Sequence, residues 1–346
     1  MSESKRRDQF FSILVLVAFF VIALGIAHVQ RQKVLNPQND VATSTTTTSS
    51  NDTYLADIQI STQLVPGDYL ATPAAALAGH VETFTYQTKD YTLDTPEPIT
   101  KTALVYLPAG YDADDAQTYN IIYWLHGWEM TNNEFFRLGD DGTVHLLDHL
   151  IASGEMPPTI VVSLTFDRDN QAQTFERSVE EVNVFAQEVR RDLIPALESE
   201  YRTYAESTAS ADLIASRQHR AFSGFSLGAV ATWDQFIHNL DLFQYFLPIS
   251  ADCWALGQNG GGTQTVATVD LLQDTANIAP YTFHIIQTNG TRDLFYEPIQ
   301  AQIREMAARP LTFNTSNLTY LLKTDGEHDM IAIWEMVYNG FPRLFR

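Results

Sequence analysis

Cysteine is almost missing. Cys253 is the only one in 346 residues, so no intrachain disulfide can form and no cysteine-rich zinc site can be built. It has no cationic neighbour in the sequence to lower its pKa and reads as a small packed residue. Positive charge is scarce as well, with 21 Lys plus Arg against 42 Asp plus Glu. Five of those bases fall in the first 33 positions, which leaves a body of net charge −24 that repels phosphate backbones and anionic surfaces. A nucleic-acid-binding role is excluded on that ground. At 45% hydrophobic and 18% charged residues the chain is too apolar for disorder, and no internal repeat divides it.

Long apolar runs are also rare. The one that reaches membrane length is the uncharged stretch Phe10 to Ala27, preceded by Lys5, Arg6 and Arg7. Eighteen residues of helix rise about 27 Å, close to the thickness of a bilayer core. A basic flank stays in the cytoplasm and sends the rest of the chain outward. Gly25 and Ala27 could form a small-residue cleavage site for a secretory signal. The run's length and the subsequent Arg31 and Lys33 favour a retained signal anchor. On either reading the body leaves the cytoplasm, and membrane contact is confined to residues 1–33. Residues 34–62, with the low-complexity TSTTTTSS at 43–50, are expected to be a spacer.

From 63 to 346 strand-like and helix-like segments alternate. Strands are expected at 81–88, 101–108, 119–125, 159–166, 219–224, 245–250, 281–287 and 318–323. Helical stretches are expected from Val144, Val182, Leu227, Ile299 and Ile331. Only the first two strands are joined by a short polar segment. That order predicts one α/β domain, a mostly parallel central sheet with an antiparallel start and helices on both faces.

The strongest local signal is Gly224-Phe225-Ser226-Leu227-Gly228, between a strand-like and a helical stretch. A nucleophilic serine needs its hydroxyl pushed out on a tight strand-to-helix turn, and glycines two positions to either side let strand and helix cross. A serine hydroxyl also needs a base and an orienting acid, in the chain order Ser, Asp, His for this geometry. Asp293, in NGTRDLFY, and His328, in DGEHDM, fall after late strands in that order. Asp252 in ISADCW is the rival acid, and Asp329 fits a supporting role better. His284 lies inside a strand, and His238 and Asp241 belong to a helix and its end. His145 and His149 share a helical face at i, i+4 but lack a third metal ligand, so no metal is expected.

A developing oxyanion needs donors. One is the backbone N–H of Leu227. The other comes from the loop His126-Gly127-Trp128, with Trp128 the first choice and Gly127 the alternative. His126 is expected to shape this loop and not to act as the base. Phe225, Trp128, Trp254, Tyr296 and Trp334 fall on or near the converging loops; Phe225, Trp254 and Tyr296 are candidates for contact with an aryl group, whereas Trp334 reads mainly as core.

From about residue 80 onward the chain resembles the putative-esterase family of α/β-hydrolases, and within it the bacterial feruloyl esterase domains of xylanase complexes. YWLHG at 123–127, ESEYRTYAEST at 198–208 and IASRQHRAFSGFSLGAVATW at 214–233 carry the likeness, and LPISADCW, NGTRDLFYEPIQAQIREM and DGEHDMIAIW continue it in register. The resemblance implies an α/β-hydrolase fold, a Ser226–Asp293–His328 triad and, as substrate, an aryl ester of a plant cell-wall polysaccharide or a small aryl ester. No cofactor is needed for that chemistry. Relatives often carry aromatic residues around the histidine where this chain has Asp329 and Met330, which leaves the acid released open. Acetylxylan or siderophore-type ester hydrolysis, acyl transfer to an alcohol and a catalytically silent surface binding module are the other readings of this scaffold.

Overall fold

Four runs in the middle of the chain are buried at every position: β4 (Asn120–Leu125), β5 (Thr159–Leu164), β6 (Arg220–Phe225) and β7 (Tyr245–Ile249). Strands covered on both faces need apolar residues without alternation, and NIIYWL, TIVVSL and YFLPI supply them. The computed structural model describes residues 50–112, 116–137, 142–278 and 281–346. Around the four central strands lie β1 (Gln59–Ser61), β2 (His80–Asp90), β3 (Glu97–Leu107), β8 (His284–Gly290) and β9 (Leu318–Lys323), in the order β1-β9-β8-β7-β6-β4-β5-β3-β2. β2 pairs antiparallel with β3, β3 antiparallel with β5, and the remaining pairs are parallel. The expected sheet with an antiparallel start is therefore present.

Successive β4 side chains go to opposite faces. Ile121, Tyr123 and Leu125 join the core under the helices Phe175–Glu188 and Leu227–Asn239. Ile122 and Trp124 join the other core, with Phe135, Leu146 and the C-terminal helix Met330–Gly340. Trp334 belongs to this second layer, its indole N–H donating to Thr143 Oγ1 at 3.0 Å.

One ion pair fixes the start of β6. Arg220, 1% exposed, makes a two-pronged bond to Glu198 at 2.6 and 2.9 Å and donates to the carbonyls of Leu213 and Leu242. Glu198 also accepts from Tyr123 and Thr203, so every charge in this buried cluster has a partner.

Two expectations need correction. The spacer expected over 34–62 does not extend that far. Ser50–Ile58 is helical, with Leu55 and Ile58 buried in the core, and Gln59–Ser61 pairs in parallel with Tyr320–Leu322 at the sheet edge. Those two apolar side chains and the backbone pairing with β9 attach the segment. The strand expected at 281–287 also shifts and runs from His284 to Gly290, because Gln287, Thr288 and Asn289 continue it fully buried. The apolar run at 10–27 and the TSTTTTSS tract up to residue 49 lie outside the described residues. Among the described residues no helix is long and apolar enough to cross a membrane.

Candidate active site

At the carboxyl end of β6 the chain turns sharply into the helix Leu227–Asn239, and Ser226 occupies the corner with φ 57° and ψ −115°. A non-glycine residue at positive φ is strained, and the surrounding packing has to hold it there. The glycines explain how. A Cβ on Gly228 would lie 2.0 Å from the Leu125 carbonyl oxygen, and one on Gly224 would lie 2.5 Å from the Gly228 backbone. Strand, turn and helix cross against β4 at a distance no side chain permits.

Two further loops meet Ser226. The one after β8 carries Asp293 and the one after β9 carries His328. They are held together by backbone: Thr291 N–H donates to Lys323 O and Arg292 N–H to Gly326 O, both at 2.9 Å. A Cβ on Gly290 would sit 2.0 Å from Gly326 O, so this contact also depends on glycine. The result is a continuous hydrogen-bonded chain. Ser226 Oγ lies 3.0 Å from His328 Nε2, and His328 Nδ1 lies 3.1 Å from both carboxylate oxygens of Asp293. An ionised carboxylate only accepts, so Nδ1 carries the proton and Nε2 presents its lone pair to the hydroxyl. Asp293 Oδ1 accepts a further bond from Phe295 N–H at 2.8 Å, and its side chain is fully buried. A base so oriented can take the serine proton and return it to a leaving group.

Asp252, the rival acid, is turned elsewhere. It is fully buried, accepts from Trp254 Nε1 at 3.0 Å and Gly262 N–H at 3.2 Å, and burial raises its pKa. Asp329 caps the helix Met330–Gly340 by accepting from Ala332 N–H. His145 and His149 each bond a backbone carbonyl, of Leu70 and Ala71. His238 pairs with Asp234 on its own helix, Asp241 pairs with Arg190, and His284 stacks on Tyr245. Cys253 is fully buried, and burial pushes its thiol up to about 12.

The loop after β4 lies directly over the elbow: a Cβ on Gly127 would meet Ser226 Cβ at 3.0 Å. His126 holds it from below. The ring is fully buried, Nδ1 donates to Gly127 O at 2.8 Å, and Nε2 accepts from Thr165 Oγ1 at 2.9 Å. Burial lowers its pKa to about 4, so it is neutral in the physiological range. Asp167 Oδ2 is 3.7 Å from Nε2, a distance that suggests an ion pair. The electrostatics say otherwise, because burial and the nearby Glu181 raise Asp167 to about 7. Between those two values both groups are neutral, and we read the contact as polar packing.

Aromatic rings form an arc around the serine. Phe225 stacks on His328 at 4.6 Å, His328 meets Phe295 at 5.2 Å, and Phe295 meets Trp254 at 6.0 Å. Trp254 continues to Phe175 at 6.3 Å, and Phe175 to Trp128 at 5.4 Å. Phe225, Trp254 and Trp128 were legible in the sequence. The ring that joins the arc after Asp293 is Phe295, not its neighbour Tyr296, which is half-buried and opens the next helix. Phe175 lies far from the elbow in sequence and carried no signal of its own.

Residues 100–320 match the family described as "Putative esterase". This chain belongs to that family. The chain is 33% identical over 252 residues to endo-1,4-beta-xylanase Y of Acetivibrio thermocellus, an alignment covering 71% of this chain and 22% of that protein. It thus spans about a fifth of the curated relative's length. A serine-to-alanine mutant of the feruloyl esterase module from Clostridium thermocellum, complexed with sinapinate, aligns at 31% identity and TM-score 0.70, covering 83% of this chain and 95% of that one. A ferulic acid esterase from the anaerobic fungus Anaeromyces mucronatus shares the fold at TM-score 0.60 and 19% identity, over 82% of this chain and 98% of that one. The chain accordingly has the α/β-hydrolase fold.

Proposed function

We propose that the protein is a serine esterase that hydrolyses hydroxycinnamoyl, feruloyl-type esters of plant polysaccharide. The observation that carries the reading is the Ser226–His328–Asp293 hydrogen-bonded chain at 3.0 and 3.1 Å, set on a strained elbow and flanked by aromatic rings. Kinship with the xylanase and the sinapinate-bound feruloyl esterase module supports the choice of acyl group.

His328 Nε2 takes the Ser226 proton as Oγ attacks the ester carbonyl. Asp293 fixes the imidazole and stabilises its cation. The N–H groups of Leu227 and Trp128 receive the oxyanion, Gly127 being the alternative to Trp128. The tetrahedral intermediate expels the sugar alkoxide, which leaves with the proton from His328. Water then attacks the acyl-serine with His328 again as base, releasing the acid and restoring the hydroxyl. Phe295 and Trp254 offer the walls on which the phenyl ring rests, with Phe225 behind the imidazole. This chemistry draws on no metal or organic cofactor. The basic flank and apolar run at 5–27 support export from the cytoplasm, with the run retained as an anchor or removed.

Purified Ser226→Ala should lose about four to six orders of magnitude in turnover of methyl ferulate. Retention of a tenth of the activity would defeat the assignment. Across methyl ferulate, sinapate, caffeate, p-coumarate and 4-nitrophenyl acetate, the hydroxycinnamates should give the higher kcat/KM. A clear preference for the acetate would remove the acyl assignment and leave the esterase.

A further inference from the structure

The aromatic arc does not stop at the catalytic residues. Beyond Phe175 and Trp254 opens a groove of about 330 Å³, to which neither Ser226 nor His328 contributes. That volume is at the lower end of the ~300–1,000 Å³ typical of small-molecule clefts. Phe175, Trp254 and Val179 supply an apolar surface, and Glu176, Asn183 and Gln258 surround it with exposed polar side chains. Among the described residues no Lys or Arg lines it, and with a body of −24 it does not suit an anion such as a free hydroxycinnamate. Apolar ring faces beside two amides and the Glu176 carboxylate suit a sugar, whose C–H face is apolar and whose hydroxyls can donate to and accept from such groups.

Trp128 follows Gly127, which lies against Ser226, and touches Phe175, which lines the groove. Its indole N–H is satisfied by Gln173 O at 3.0 Å, yet the residue is 40% exposed and touches Phe175 edge-on. An exposed indole with its polar atom already bonded has only an apolar face left to offer. We propose that the groove beyond Phe175 and Trp254, reached over Trp128, is a subsite for a neutral sugar unit on the alcohol side of the substrate. The inference rests on the esterase reading and deepens it: the polysaccharide is held as well as the acyl group. The ester's two halves then diverge from Ser226, the phenyl ring toward Phe295 and the glycan over Trp128.

The test compares methyl ferulate with a feruloylated arabinoxylo-oligosaccharide in wild type and in the double variant Asn183→Ala, Gln258→Ala. Both positions are exposed, so the variant should fold. Removing two hydrogen-bonding side chains should raise KM for the oligosaccharide ester on the order of tenfold and leave methyl ferulate kinetics unchanged. A second variant, Val179→Trp, fills the groove from its floor and should give the same split. Unchanged kinetics on both esters in both variants would overturn the proposal, as would equal losses on both, which would make the groove the acyl pocket. Failure of the wild type to hydrolyse methyl ferulate would defeat the feruloyl-type reading on which this subsite rests, and the subsite with it.

Discussion

Among the described residues Asp167 is a buried carboxyl group with no cation of its own. The charges around it are committed elsewhere: Lys101 binds Glu188 at 3.0 Å, Arg177 binds Glu181 and Asp90, and Arg168 reaches Asp90. Asp167 is 1% exposed, and among the described residues its Oδ1 has no hydrogen-bond partner. Burial first, and Glu181 second, lift its pKa from 3.8 to about 7, Lys101 opposing. The native state thus binds a proton that the unfolded state gives up near pH 4. Stability from this group is complete below the unfolded value and is lost as pH rises through the native one. Three units at 1.36 kcal/mol each make the loss about 4 kcal/mol. His126 acts in the opposite sense. Burial lowers it from 6.5 to about 4, so it costs stability as pH falls through that window, by about 3 kcal/mol. Between pH ~4 and ~6.5 the two slopes nearly cancel, and neither is visible in the wild type.

Asp167→Asn unmasks them. The amide keeps the shape and cannot ionise, so any cost of its extra N–H is independent of pH. Urea unfolding of wild type and variant from pH 4 to 8.5 gives the difference in ΔG directly. It should shift in the variant's favour by about 1.4 kcal/mol per pH unit between ~4 and ~7 and then level off. A difference that does not change with pH would show that Asp167 is ionised in the native state and would refute the neutral pairing with His126 beneath the loop after β4.

Other substitutions test the close approaches and the acid. Gly228→Ala puts a methyl 2.0 Å from Leu125 O and should destabilise the fold by at least ~1–3 kcal/mol in urea unfolding, with kcat reduced as the elbow shifts; native stability would contradict the crossing argument. Asp293→Asn should lower kcat about 10⁴-fold, whereas Asp252→Asn should cost less than about tenfold; the reverse order would exchange their roles. Gly290→Ala forces the Asp293 and His328 loops apart at Gly326 and should lower kcat by about 10²-fold with KM little altered. Unchanged turnover would mean the two loops can separate without disturbing the imidazole.

The sheet was legible where its strands are apolar throughout, as in NIIYWL and TIVVSL, because burial on both faces leaves a continuous signal. It was illegible where burial is polar. Asn289 accepts from Tyr320 OH at 2.7 Å and so carries β8 past the point where its apolar residues end. The helix Thr265–Ile278 was not anticipated, since it buries little besides Thr268, Val269 and Leu272 and has no strong apolar stripe. Within the site, the elbow and the order of Ser226, Asp293 and His328 follow from local sequence. Which acid reaches the imidazole does not, because Asp252 and Asp293 both follow strands and only the turn at Gly290 and Gly326 distinguishes them. The support of His126 by Thr165, and the entry of Phe175 into the aromatic arc, depend on contacts between loops distant in sequence.

The central claim is that Ser226 itself carries the acyl group. Wild-type enzyme quenched within milliseconds of mixing with a hydroxycinnamoyl ester, digested and examined by mass spectrometry, should show one hydroxycinnamoyl adduct on the peptide containing Ser226 and none in Ser226→Ala. An adduct mapped to another residue, or steady hydrolysis by Ser226→Ala with no adduct at all, would contradict the account.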